Sequence, residues 1–185
     1  MNRMISEEEQ LRDQLLFLRC RRGERAAWHA LIALWQPRLF YYVRRLLPTE
    51  ADAWDVLQQT WAGAYEGIDR VRDPGQLAPW IYRIARNKSI DFRRRLSPHE
   101  TLEENADHSP APGDEQLAFD NVESLHLALG RLSLAHREVL TLYFLEDLSV
   151  DAIAQVLGVP PGTVKSRLHH AKHELRIILE PEIEP

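Results

Sequence analysis

From Ser97 to Glu123 the sequence carries eight carboxylates, Glu100, Glu103, Glu104, Asp107, Asp114, Glu115, Asp120 and Glu123, and no lysine or arginine. Pro98, Pro110, Pro112 and Gly113 interrupt the same stretch, and its apolar residues show little periodicity between Leu102 and Leu117. Like charges repel along such a run and it offers no apolar face to bury, so it reads as a flexible linker. The 185 residues are therefore expected to fold as two small bodies, one on either side. The expected boundaries are an N-terminal extension and the start of the first helix at 1–22, a first domain at 23–96, the linker at 97–120, a second domain at 121–179 and an acidic tail at 180–185. The first twenty residues and the EPEIEP tail are left without a role and open to disorder.

Both bodies carry apolar residues at helical spacing. Leu11, Leu15 and Leu18 suggest an opening helix, and Ala27, Leu31 and Leu34 a second that runs toward Leu47 with a bend at Pro37. Residues 50–68 and 77–96 supply two more, with Thr49 as a cap and Asp73-Pro74-Gly75 as a turn. Beyond the linker, residues 122–132, 133–146, 149–157 and 162–179 read as four helices. No alternating run is long enough for a sheet. The expected fold is all-α: two small helical domains joined by an acidic flexible linker.

Composition narrows the function classes. Apolar residues make up 44% of the chain, enough to build cores, yet no apolar run approaches the ~20 residues of a membrane span and the start MNRMISEEEQ lacks a signal core. A cytosolic protein without membrane insertion is expected. The single cysteine, Cys20, makes no internal disulfide and has no zinc-site neighbours. A net charge of −5 argues against a uniformly basic coat, but the cations are clustered. Residues 83–95 hold Arg83, Arg86, Lys88, Arg93, Arg94 and Arg95 against Asp91, and residues 165–176 hold Lys165, Arg167, Lys172 and Arg176 against Glu174.

The second basic cluster lies in LSVDAIAQVLGVPPGTVKSRLHHAKHEL, residues 148–175, which fits a helix-turn-helix. Ala154 is small where two helices cross, Gly158 stands where the turn needs a positive φ, and Val164 is a core residue beyond it. At about 100° per residue, Val164, Leu168, Ala171, Leu175 and Ile178 share one face of the last helix. Lys165, Ser166, His169, His170, His173 and Arg176 share the other. In a major groove, Lys165, Ser166, His169 and His170 would meet base edges, and Thr163, Arg167 and Lys172 would meet phosphates. A solvated helix face is the bland alternative. His169 and His173 also have the i, i+4 spacing of zinc ligands, but no obvious third ligand is near and the flanking cations repel a metal, so no metal is expected.

The first basic cluster lies in WIYRIARNKSIDFRRR, residues 80–95. Projection puts Ile81, Ala85 and Phe92 on one face, and Arg83, Arg86, Asn87, Arg93 and Arg94 on the other, with Trp80 at its border. Cations beside an aromatic surface suit an unstacked single strand. Equally, Trp80 and Tyr82 would serve as core aromatics above a solubility face. Upstream, AWDVLQQTWAGAYEGI is an amphipathic helix for which packing is the default reading.

Taken in order, DVLQQTW, WIYRIARNKSIDFRRR and the helix-turn-helix closely resemble the extracytoplasmic-function group of bacterial RNA polymerase sigma factors, over roughly residues 20–178. The resemblance implies a dissociable initiation subunit with no active site and no cofactor of its own, which directs core RNA polymerase to promoter DNA. Asp55, Gln58 and Trp61, with Gln59 at the margin, become polymerase contacts. Trp80, Arg83, Arg86, Asn87, Arg93 and Arg94, with the loop from Arg70 to Leu77, engage a single-stranded −10 element. Lys165, Ser166, His169 and His170 read the −35 duplex, and Thr163, Arg167 and Lys172 hold its backbone. An anti-sigma partner is implied, and the acidic linker is placed along the polymerase channel. Trp54 and Gln59 stand where the family commonly has acids, and His170 and Lys172 where it has arginine, which makes polymerase affinity and −35 preference less transferable.

Two other readings fit parts of the pattern. One is a DNA-binding regulator whose first body senses or dimerises, which acts without polymerase. The other is a helical metal hydrolase built on His169 and His173, which needs bound zinc.

Overall fold

A computed structural model describes residues 7–96 and 127–179. Among the described residues there is no β-strand, and the architecture is all-α as expected. The first body contains α1 (Glu7–Arg21), α2 (Arg25–Leu46), α3 (Glu50–Gly67) and α4 (Leu77–Leu96). The second contains helical residues 127–131, then α5 (Leu134–Leu140), α6 (Val150–Leu157) and α7 (Pro161–Leu179). The linker and the C-terminal tail lie outside the described residues.

Local chemistry fixes most boundaries. Gly23, at φ +77°, ends α1, and the Glu24 N–H donates back to the Arg19 carbonyl at 3.2 Å, closing a left-handed helix stop. Thr49 Oγ1 accepts from the Asp52 N–H at 3.1 Å and starts α3. Asp73 Oδ1 accepts from the Gly75 N–H at 2.9 Å, shaping the short turn Pro74–Gln76 that feeds α4. Pro37 sits inside α2 without ending it, because it lies on the exposed side while Trp35 and Leu39 stay buried.

Three expectations need correction. The opening helix forms, but Leu11 and Leu15 are 65% and 57% exposed, and it is Phe17 and Cys20 that face the core. The i, i+4 leucine spacing identified a helix and the wrong buried face. The N-terminal extension is correspondingly ordered from Glu7 onward and packs on α2 and α4. Residues 133–146 are also not one α-helix: α5 passes into a π-helical turn, Thr141–Leu145, and Asp147 follows at φ +54°.

That turn has a structural consequence. A wider π turn advances each residue by roughly 80° rather than about 100°, so it swings Glu146 round onto the face that carries Glu138. Both carboxylates are buried, at 3% and 4% exposure, and both point at the first body. Glu138 Oε1 accepts from the Tyr42 hydroxyl at 2.7 Å and Arg86 Nε at 2.9 Å. Glu146 Oε2 accepts from the Tyr82 hydroxyl and from Arg38 Nε at 3.1 Å. Around these contacts α2 packs on α5 and α4 packs on α6, and the apolar clusters of the two bodies merge. In the second body Gly158 takes the expected left-handed conformation at φ +69° and ends α6.

A Cβ at Gly158 meets no atom within 4 Å, so the cost of adding one is conformational. Gly158→Ala is expected to lower stability by about 1–2 kcal/mol, read as a reduced urea midpoint with an unchanged slope. A midpoint equal to that of the parent would count against the left-handed turn.

Candidate nucleic-acid interface

The last helix is built as an apolar rail with a polar outer face. Val164, Leu168 and Ala171 are buried against α5 and α6. Lys165, Ser166, His169, His170, Lys172 and His173 are exposed, and Thr163 and Arg167 are half-buried. His136 Nδ1 lies 2.6 Å from Glu174 Oε2, tying α5 to the middle of α7. The Lys172 ammonium lies 5.3 and 5.1 Å from the ring centres of Tyr143 and Phe144, so its stem is propped on the π turn. The structure brings Lys165, Ser166, His169 and His170 together on the N-terminal half of one exposed face. His169 and His170 meet edge to face, with ring centres 5.5 Å apart. Among the described residues no three His, Cys, Asp or Glu side chains are grouped to hold a metal.

The residues expected on the basic face of α4 do not form one surface. Arg83, Asn87 and Arg94 are exposed and, at about 100° per residue, fall on one stripe. Arg86 and Arg93 are half-buried on the side turned to the second body. Arg86 is held by Glu138, and Arg93 Nη1 donates to the Leu46 carbonyl at 3.2 Å. Trp80 is half-buried against the end of α3, where a Cβ added at Gly67 would meet its ring at 3.5 Å. Tyr82 is a core aromatic, with its ring 5.2 Å from that of Tyr42.

On α3, Asp55 and Gln58 are exposed, while Gln59 and Trp61 are half-buried. Beside them Trp54 stacks on Phe40 at 4.3 Å, and Tyr65 lies 5.2 Å from Trp28 with most of its surface in solvent. This gives α3 an outer face that mixes a carboxylate, amides and aromatic surface.

The sequence reading missed Glu138, Glu146, Tyr42 and Arg38. The signal was present for Glu138, which falls on the Leu134–Leu142 side of its helix, among residues expected to be buried. No helical projection finds Glu146, because the π turn shifts its phase. Burial pushes the Glu146 carboxyl above the usual glutamate range, against the lowering effects of the Tyr82 hydrogen bond and Arg38. Its contribution to stability is therefore greatest below the ordinary glutamate pKa and falls as pH rises through the folded value. Burial, then Glu138 and Glu146 respectively, drive the Tyr42 and Tyr82 hydroxyls well above the ordinary tyrosine value. Both tyrosines are thus fixed as neutral donors to the carboxylates.

Comparison with known proteins places these features in families. Residues 31–98 match Sigma-70 region 2 and residues 123–175 match Sigma-70, region 4. The RNA polymerase sigma factor SigV of Bacillus subtilis is 31% identical over 143 residues, covering 77% of this chain and 82% of its own. The ECF RNA polymerase sigma factor SigW of the same organism is 28% identical over 169 residues, covering 84% and 90%. Among solved structures, the sigma factor RpoE in complex with the anti-sigma factor NepR from Bartonella quintana superposes with a TM-score of 0.63 at 25% identity, covering 82% of this chain and 95% of that one.

The burial pattern of α7 separates fold from recognition. Leu168→Ala is expected to cost about 2–5 kcal/mol of stability, whereas exposed Lys165→Ala stays within about 0.5 kcal/mol of the parent. Chemical unfolding followed by circular dichroism distinguishes them, and equal losses would mean that α7 is not oriented as described.

Proposed function

The chain belongs to the extracytoplasmic-function group of the sigma-70 family, and we propose that residues 23–96 and 121–179 divide a sigma factor's work between polymerase docking with −10 melting and −35 recognition. One observation carries the reading. A single chain holds both an exposed cationic stripe on α4 and a helix-turn-helix whose last helix shows Lys165, Ser166, His169 and His170 to solvent above buried Val164, Leu168 and Ala171.

The roles follow from chemistry and position. Asp55, Gln58, Gln59 and Trp61 on α3 form the contact with core RNA polymerase, with adjoining Trp54 and Tyr65 adding apolar area. Arg83, Asn87 and Arg94 meet the −10 strand directly, and half-buried Trp80 borders them as the aromatic surface for an unstacked base. Arg86, held here by Glu138, and Arg93, held by the Leu46 carbonyl, complete the cationic set. In the major groove Lys165, Ser166, His169 and His170 read bases, while Thr163, Arg167 and Lys172 hold phosphates. Phosphodiester synthesis belongs to the polymerase, so this chain needs neither a catalytic centre nor a cofactor. No helix among the described residues is long and apolar enough to cross a membrane, and a factor serving RNA polymerase works in the cytoplasm. The Bartonella quintana relative is bound by an anti-sigma factor, and a protein of that kind is the regulatory partner proposed here.

The test is run-off transcription from candidate promoters with core polymerase and the full chain. A product that depends on both is expected, and DNA binding without polymerase binding or product would transfer the reading to a conventional regulator. On a promoter so identified, His169→Ala or Lys165→Ala should cost about 1–3 kcal/mol of discrimination at one −35 position. An equal loss on every sequence, measured at fixed salt, removes the base-reading role of that side chain.

A further inference from the structure

We propose that α1 carries a docking face for a second copy of this chain: its stripe of Leu11, Leu15 and Leu18 pairs with the same stripe of a partner copy running antiparallel, so that the acidic start of each helix lies beside the basic end of the other. The face lies on none of the helices assigned to DNA or to polymerase, so the proposal goes beyond the reading above and stands independently of it.

The stripe is apolar surface that the fold leaves in solvent. Leu11, Leu15 and Leu18 are 65%, 57% and 41% exposed, while Phe17 and Cys20 on the far side of the same helix are buried. At about 100° per residue, Glu8, Leu11, Leu15, Leu18 and Arg22, the last just past the helix end, fall within roughly 80° of arc. All five side chains are exposed. Their spacing alternates steps of three and four residues, which is the seam of a helix pair, here apolar at its inner positions and charged at its two ends. Anchoring α1 to the first body does not require these leucines, since Phe17, Cys20 and partly buried Leu16 already pack against the core.

Charge selects the partner and its direction. The first turn of α1 carries Glu7, Glu8 and Glu9, and the last turn carries Arg19 and Arg21, followed by Arg22. In an antiparallel pair the two-fold axis passes beside Leu15, and Glu7 and Glu8 of each copy come beside Arg21 and Arg22 of the other, at both ends. A parallel pair instead sets glutamates against glutamates and arginines against arginines, at a cost. The opposed helix dipoles add to the same preference. A face that is complementary to itself under a two-fold rotation fits a second copy better than it fits a partner of one charge sign. The helix has 15 residues and is about 22 Å long. One such pair buries less than the roughly 1,200 Å² of a standard interface, so the dimer is weak and reversible.

The experiment is sedimentation velocity on the full chain at low salt, over about 1 to 200 μM. A reversible shift from monomer to dimer is expected across that range. Leu15→Gln should weaken association at least about tenfold, since burial of that side chain is lost from both copies. Helical content should stay unchanged by circular dichroism, because Leu15 is exposed in the monomer. Leu11→Gln with Leu18→Gln should give the same loss and serves if the first variant fails to fold. Glu7→Lys with Glu8→Lys should also weaken association, and adding Arg21→Glu with Arg22→Glu in the same chain should restore it, because the reversed pattern again complements itself only when the helices run antiparallel. Phe144→Gln, which alters an exposed aromatic of the second body, should leave association as it is. A monomer at every concentration overturns the proposal and hands the stripe to a different protein or to residues outside those described. A dimer that survives Leu15→Gln and is lost with Phe144→Gln places the contact on the second body and equally overturns it. A dimer lost with Leu15→Gln but indifferent to both charge reversals overturns the antiparallel pairing. Failure of the sigma assignment shows instead in the run-off assay and leaves the sedimentation result standing.

Discussion

A carboxylate removed from water must be met by hydrogen-bond donors, and Glu138 and Glu146 are met by donors on the opposite body of the chain. This requirement organises the molecule. Leaving one such carboxylate buried without its partners costs about 3–5 kcal/mol, comparable to a large fraction of a small domain's whole stability. The arrangement of the two bodies is therefore specific in register as well as favourable in area. Apolar contact between α4 and α6 would tolerate sliding, whereas two adjacent tyrosine–arginine pairs bonded to two carboxylates fix a single position.

The residues proposed to meet nucleic acid are distributed around that contact according to what remains in solvent. Arg83, Asn87 and Arg94 lie on the exposed stripe of α4, and the polar face of α7 proposed to read bases is turned outward by the burial of Val164, Leu168 and Ala171. Arg86, a cation proposed for nucleic acid, is held in this structure by a protein carboxylate.

Much of this was legible from residue order. The limits of α4, the cap at Thr49, and the left-handed Gly158 are local events decided within four or five residues, where backbone hydrogen bonds and side-chain size dominate. Membership of the sigma family was carried by three motifs in order. Less legible was which face a helix buries when its leucines are evenly exposed to choice: α1 turns Phe17 and Cys20 inward because α2 and α4 offer a surface there, leaving Leu11 and Leu15 outside. The candidate −10 residues were identified as a set, but their division into an outer stripe and an inner pair depends on a neighbour more than fifty positions away, since Arg86 answers to Glu138.

The sequence by itself determined the helices, the turn that joins α6 to α7 and the polar residues that α7 presents, because each follows from spacing, capping and the conformational freedom of particular residues. Tertiary structure alone decided that two separately encoded bodies share a core, and that two glutamates close it through tyrosine and arginine. The reason is physical: a π turn changes the angular phase of every residue beyond it, and a buried charge finds its partner by position in space, neither of which is written in the spacing along the chain.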